Sequence, residues 1–183
     1  MNNDTTVAFL RGMIFPRFIT KPISSIYRIF DSIDNPKEWF STKKCYEDDF
    51  ILNSIAHYLF NCIKDLEIDV VLSEEKNQKL NSELSEIFKD NKYRLKSLII
   101  DEKHKNGSLK KKIQKKDICF VNDIVIDREE VDKIVSFAKE VNGKLVSYVS
   151  LFNFTNPGNN PLEISIFNRD DIKRYKIWGL VGF

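Results

Sequence analysis

Asn122 and Asp123 close the apolar run "DICFV" and lead through "IVIDREE" into an amphipathic stretch that reaches Phe137. A strand that ends in hydrogen-bonding groups and feeds a helix is how an α/β protein offers a ligand site beyond the strand's C-terminal end. Asn122 brings a donor and an acceptor to that position, and Asp123 brings a carboxylate. The turn that follows contains no glycine. Asp127, Glu129 and Glu130 set three carboxylates where a helix start would otherwise attract a phosphate, and Arg128 supplies one anion contact. The same residues admit a plainer role, with Asp127 as the helix N-cap and Glu130 as its capping-box partner three residues on.

Two further stretches carry groups capable of chemistry. "SEEKNQK" follows an apolar strand and presents Ser73, Glu74, Glu75 and Lys76. It reads either as an anion loop that has gained acids or as a solvated turn opening a helix. "EKHKNGSLKKKIQKK" (102–116) reads as a polar, basic loop carrying Lys103, His104, Lys105 and Gly107. Its Lys110, Lys111, Lys112, Lys115 and Lys116 surround a single isoleucine. The cluster has no interleaved aromatics for base stacking and is flanked by Asp101, Glu102 and Asp117, so nucleic acid is not the expected partner. His57 sits among apolar neighbours in a helical pattern and is expected to be structural.

The elements that position these groups alternate. A short helix is expected at Thr5–Ile14, followed by an extended stretch, "RFITKPISSIYRIFDSI". Glu47–Leu66 carries Phe50, Ile51, Ile55, Tyr58, Leu59, Cys62 and Ile63 on one helical stripe. Strands follow at 68–73, 94–101, 117–123 and 144–154, with helices over 77–89 and 129–142. Asn142–Gly143 ends the second of these helices. "TNPGNNP" is a turn cluster. A last strand, "LEISIF", leads to a helix capped by Asn168. Strands of near-continuous hydrophobicity linked by helices imply a mainly parallel sheet with helices on both faces.

Composition sets the outer limits. At 183 residues and 42% apolar content the chain can bury one full core. A formal net charge of +2 gives no overall field for nucleic acid. Cys45, Cys62 and Cys119 are far apart and lack metal-ligand spacing, as reduced, mostly buried thiols of a cytoplasmic protein would be. No apolar run approaches the roughly 20 residues of a membrane span, and the first residues do not read as a signal peptide. Glycine is scarce, six in 183, against an average near 7%. Only Gly107 lies between Gly12 and Gly143, so neither candidate anion loop has the residue that permits close backbone approach to a phosphate.

The order of elements resembles the type I phosphoribosyltransferases, and among them the orotate phosphoribosyltransferases. Their signature is a strand ending in two acidic residues, then a loop rich in glycine and hydroxyls, then a helix. "FVNDIVIDREEVDKIVSFAKEVNGKLVSYVSLF" aligns to it without a gap, with Asn122 and Asp123 on the acidic pair and Ile126–Glu130 on the loop. "RFITKPISSIYRIFDS" is similar to the N-terminal segment of the orotate enzymes through Phe18, Ser25, Tyr27 and Asp31. The resemblance runs from about residue 17 to 155. It implies one domain over 1–183, with an N-terminal hood (1–47), an α/β core (48–155) and a C-terminal strand and helix (156–183).

For function, the resemblance implies that Asn122 and Asp123 face the ribose hydroxyls and that Asp127, Arg128 and Glu129 occupy the 5′-phosphate loop. Ser73, Glu74, Glu75 and Lys76 fall on the pyrophosphate loop. Lys103 and His104 fall on a mobile catalytic loop, as charge stabiliser and donor to the leaving pyrophosphate. Mg²⁺ is the implied cofactor, associated with Asp123 through a bound ligand, and a homodimer is the implied assembly. The departures are as specific as the matches. Both phosphate loops have lost glycine and gained acids, and Asn122 removes one charge from the pair. An Arg-Lys pair expected after the second strand falls on Ile99 and Ile100, or on Arg94 and Lys96 under a shifted alignment. Three readings follow: a diverged protein that binds a nucleotide or acts in regulation or assembly, an active orotate phosphoribosyltransferase of pyrimidine biosynthesis, and an acidic-partner or nucleic-acid binder.

Overall fold

A computed structural model of the chain describes residues 8, 11–13, 42–100, 107–155, 161–168 and 170–171. The elements are α1 (Lys43–Glu47), α2 (Asp49–Ile63), β1 (Val70–Glu74), α3 (Gln78–Asp90), β2 (Lys96–Ile100), α4 (Gly107–Ile113), β3 (Asp117–Val125), α5 (Arg128–Glu140), β4 (Lys144–Asn153) and β5 (Leu162–Asn168). A short 3₁₀ turn, Glu75–Asn77, joins β1 to α3. The extended stretch read at 17–33, the loop residues Lys103 and His104 and most of the 155–161 turn cluster lie outside the described residues. So do Arg169 and residues 172–183.

The five strands form one sheet in the order β2-β1-β3-β4-β5, and every pairing is parallel. Parallel neighbours cannot be joined by tight hairpins, so crossing segments must cover both faces of the sheet. α2 and α3 bury Ile55, Leu59, Leu84 and Phe88 with Val71, Val121 and Val149 in one apolar cluster. α4 and α5 bury Leu109, Ile113, Val131 and Ala138 with Leu72, Phe120 and Tyr148 in the other. The α/β class, the parallel sheet and helices on both faces are as the sequence pattern implies.

Helix ends follow their chemistry. The Asp48 carboxylate accepts from the Ile51 N–H at 3.2 Å and starts α2. α5 closes with two bonds: the Gly143 N–H reaches the Ala138 carbonyl and the Asn142 N–H reaches that of Lys139, each at 2.9 Å. The left-handed residue of this Schellman end is Asn142, at φ 54°. Gly143 is needed for space instead, since a Cβ there would lie 3.1 Å from the Ile113 carbonyl oxygen. Asn168 accepts from the Asp170 and Asp171 N–H groups, as expected of an N-cap.

Three details differ from the pattern read in the sequence. The basic 102–116 segment contains a helix, α4, because Leu109 and Ile113 lie one turn apart and both bury against the sheet. The buried stripe of α2 is rotated toward Leu52, Ala56 and Phe60, leaving Phe50 66% exposed. His57 is also exposed on α2 rather than packed among its apolar neighbours. Cys45 and Cys119 are buried and Cys62 is half-buried, all as free thiols. Among the described residues no helix is long and apolar enough to cross a membrane.

Candidate functional site

The chain turns from β1 outward to β2, then returns past β1 to β3, so β1 and β3 are adjacent strands whose connections leave in opposite directions. In an open parallel sheet that switch point leaves a crevice beyond the strand ends, where ligands bind. The register pairs Ser73 with Val121, which puts Glu74 beside Asn122 at the mouth. Two of the segments singled out in the sequence, "SEEKNQK" and "NDIVIDREE", therefore meet here.

The groups at this mouth bind one another. Asn122 is only 5% exposed. Its carboxamide oxygen accepts from Asn77 Nδ2 at 3.1 Å and from the Asp123 N–H at 2.8 Å. Its amide nitrogen donates to the Tyr148 hydroxyl at 2.8 Å and to the Ile124 carbonyl at 3.4 Å. A side-chain amide has two donors and two acceptor sites. All four are occupied. Beyond Asn77 the chain of bonds continues to Tyr46, whose hydroxyl donates to Asn77 Oδ1 at 3.3 Å. Burial, followed by the nearby Asp123 charge, holds the Tyr46 phenol well above its ordinary pKa. Burial does the same for Tyr148. Both phenols stay neutral and available as hydrogen-bonding groups.

Asp123 points toward the opening but is also engaged. Its Oδ1 accepts from Lys76 Nζ at 3.1 Å and from the Ile124 N–H at 2.9 Å, and Thr42 Oγ1 donates to Oδ2 at 3.4 Å. Lys76 bridges a second carboxylate, Glu74, at 3.3 Å. Burial alone would lower the Lys76 pKa, and the two carboxylates more than offset it, so the ammonium is held above its ordinary value. Ser73 is fully buried and its hydroxyl accepts from Asn81 Nδ2 at 2.9 Å. Glu75 is exposed on the 3₁₀ turn.

The turn after β3 serves the helix that follows it. Asp127 caps α5 by accepting from the Glu130 N–H at 3.1 Å. Glu130 reaches back to the Ile126 N–H at 3.5 Å, one residue before the position of an ordinary capping box. Arg128 pairs with Glu163 on β5 and with Asp132 one turn along its own helix. Glu129 is exposed and lies 3.9 Å from Lys133.

Beside the mouth lies a cleft of about 720 Å³ between α1, α3 and the end of β3. Its walls include Thr42, Tyr46, Lys76, Lys79, Glu83 and Asp123. Lysines and acids alternate around it, so no single sign of charge prevails.

The resulting frame matches solved enzymes. An orotate phosphoribosyltransferase of Mycobacterium tuberculosis, in complex with inorganic phosphate, superposes with a TM-score of 0.66 at 9% identity, over 92% of this chain and 99% of that one. This chain has the type I phosphoribosyltransferase fold. The Francisella tularensis orotate phosphoribosyltransferase matches at a TM-score of 0.57 and 12% identity, over 75% of each chain. Adenine phosphoribosyltransferase from Trypanosoma brucei, in complex with AMP, pyrophosphate and ribose-5-phosphate, matches at 0.55 and 10% identity, over 73% of this chain and 70% of that one. No protein-family model and no curated protein sequence matches the chain. At such identities the likeness to phosphoribosyltransferases is one of fold.

Within that fold, Tyr46, Asn77, Asn81 and Tyr148 escape sequence reading as members of the site. One trace of them was available. Asn77 and Asn81 stand four residues apart on a helical face otherwise filled by Leu80, Leu84 and Phe88.

Proposed function

We propose that this chain is a phosphoribosyltransferase-fold protein of the cytoplasm that does not transfer phosphoribosyl groups, and that it serves in binding, regulation or assembly. The observation that supports this reading is the internal saturation of Asn122, with all four of its hydrogen-bonding positions taken by Asn77, Tyr148 and backbone. A ribose hydroxyl offered to Asn122 must displace a buried bond rather than add one, which costs the desolvation of whichever partner is released. The neighbouring turns add to the difficulty. An enzyme acting on phosphoribosyl pyrophosphate needs preorganised donors aimed at several negative charges, whereas Asp127 and Glu130 here cap α5 and Glu74 and Glu75 flank Lys76. A neutral or zwitterionic ligand suits the mixed charge of the cleft beside Tyr46 better than a polyphosphate. The chain is expected to work as a homodimer, as the resemblance implies.

Titration calorimetry with phosphoribosyl pyrophosphate and Mg²⁺, paired with an assay for orotidine 5′-monophosphate, tests the reading. The expected result is no binding in the micromolar range and no product. Micromolar binding with turnover of orotate overturns it. The basic segment around α4 gives less support to a nucleic-acid role, because Lys110 on the helix lies 3.7 Å from Glu140, and Lys116 just before β3 lies 3.3 Å from Asp69.

A further inference from the structure

Mg²⁺ is the cation that the resemblance would put near Asp123, and the residues there do not suit it. Mg²⁺ takes about six oxygens at roughly 2.0–2.1 Å and keeps several waters. Asp123 Oδ1 already accepts from Lys76 Nζ and from the Ile124 N–H. A metal on that oxygen would sit against an ammonium 3.1 Å away. Thr42 leans on the other oxygen at 3.4 Å. Among the described residues no group of three or more His, Cys, Asp or Glu side chains gathers to hold a metal ion.

The same distances give the ammonium a role. Lys76 Nζ lies between the carboxylate at the end of β1, Glu74, and the one at the end of β3, Asp123. One positive charge thus bridges the two strands that flank the switch point, as a small cation between two carboxylates would. The Asp123 side chain is 16% exposed and that of Lys76 is 45% exposed. The pair is therefore partly shielded from water, where its attraction is screened less than on an open surface.

We propose that the Lys76 ammonium is the resident cation of this crevice, fixed to the chain in the place between Glu74 and Asp123 that a divalent ion would otherwise take. The crevice then holds its shape without metal, and its carboxylates are closed to exchangeable cations as long as Lys76 is present. This rests on the reading of the site given above and assigns its cation.

Mn²⁺, an oxygen-seeking ion with a strong paramagnetic signal, is the probe. Free Mn²⁺ is titrated by electron paramagnetic resonance against the wild-type chain, Asp123→Asn, Lys76→Met, Lys76→Gln and the double variant Lys76→Met/Asp123→Asn, without phosphoribosyl ligand. The wild type is expected to show no Mn²⁺ site that depends on Asp123. Both Lys76 single variants are expected to bind Mn²⁺ at least about tenfold more tightly than wild type, and the double variant to lose that gain. Circular dichroism establishes that each variant is folded. Two results overturn the proposal: Mn²⁺ binding by the wild type that Asp123→Asn abolishes, or folded Lys76→Met and Lys76→Gln chains that gain none. Because no substrate is present, the outcome is independent of whether orotate turns over.

Discussion

Asn77, on the 3₁₀ turn after β1, and Asn122, in β3, are joined by one amide–amide bond of 3.1 Å, buried from water. The two residues belong to different candidate segments in the sequence, and loss of Asn122 orphans the Asn77 amide nitrogen, whereas the Asn122 oxygen keeps the Asp123 N–H if Asn77 is lost. Tyr46 extends it on one side and Tyr148 on the other. The floor of the crevice is a polar ladder closed on itself.

Asn122→Ala removes the centre of that ladder and leaves Asn77 Nδ2 and the Tyr148 hydroxyl buried without the partner that Asn122 supplied. A loss of about 2–3 kcal/mol is expected, read as a lower midpoint in urea unfolding with an unchanged slope. Asn122→Asp puts there the acid that the sequence resemblance leads one to expect, but removes both donors. It is expected to destabilise as well, and to confer no orotate turnover.

Arg128→Ala strips the cation from Glu163, whose side chain is 1% exposed. Asn153 Nδ2, at 3.3 Å, stays beside it. A cost of about 2 kcal/mol is expected, because an acid left buried without its ion pair is disfavoured. Adding Glu163→Gln to the same chain should recover more than half of it. Equal destabilisation in the single and double variants would show that the ion pair is not what Arg128 supplies.

Asp127→Ala should cost about 1 kcal/mol through loss of the α5 cap, and Asp127→Asn only a few tenths. Thermal unfolding of the three chains at neutral pH measures both. A stability gain in Asp127→Ala would contradict the capping role.

Burial pushes the Cys119 thiol up to about 12, with a smaller opposing effect from Ser147. An unfolded thiol ionises near 8.5. The folded-state pKa is therefore raised, so the contribution to stability is complete below about pH 8.5 and is lost progressively as pH rises toward 12. Cys119→Ala is expected to flatten the fall in stability over that alkaline range, at the expense of a small cavity. In the native chain at pH 8, Cys119 and Cys45 should resist a thiol reagent that reacts slowly with Cys62.

Much of the frame is legible in the residues themselves. Near-continuous apolar strands such as "VVL" and "ICFV" announce burial on both faces, and Asp127 with Glu130 announces the start of α5. Local spacing carries both signals. α4 is harder to see, because its apolar signal is only Leu109 and Ile113 within a run of lysines. Phe50 misleads because it sits one position off the stripe that α2 buries. The Lys76–Asp123 pair could not be read at all: the residues are far apart in the chain, and only the order β2-β1-β3 sets their strands side by side. Saturation of Asn122 is hidden for the same reason, since two separate elements supply its side-chain partners and its own strand supplies the rest.

That strand order also has a meaning for synthesis. A nascent chain extended to residue 100 can already pair β1 with β2, yet the inner edge of β1 stays open until β3 emerges. The crevice does not exist in that interval, and the edge that will form its floor is free to pair with whatever strand is near. The lysine-rich stretch of α4 leaves the ribosome just before β3, so like charges precede that strand in the chain. Repulsion between neighbouring nascent chains would then guard the sheet until its own third strand arrives.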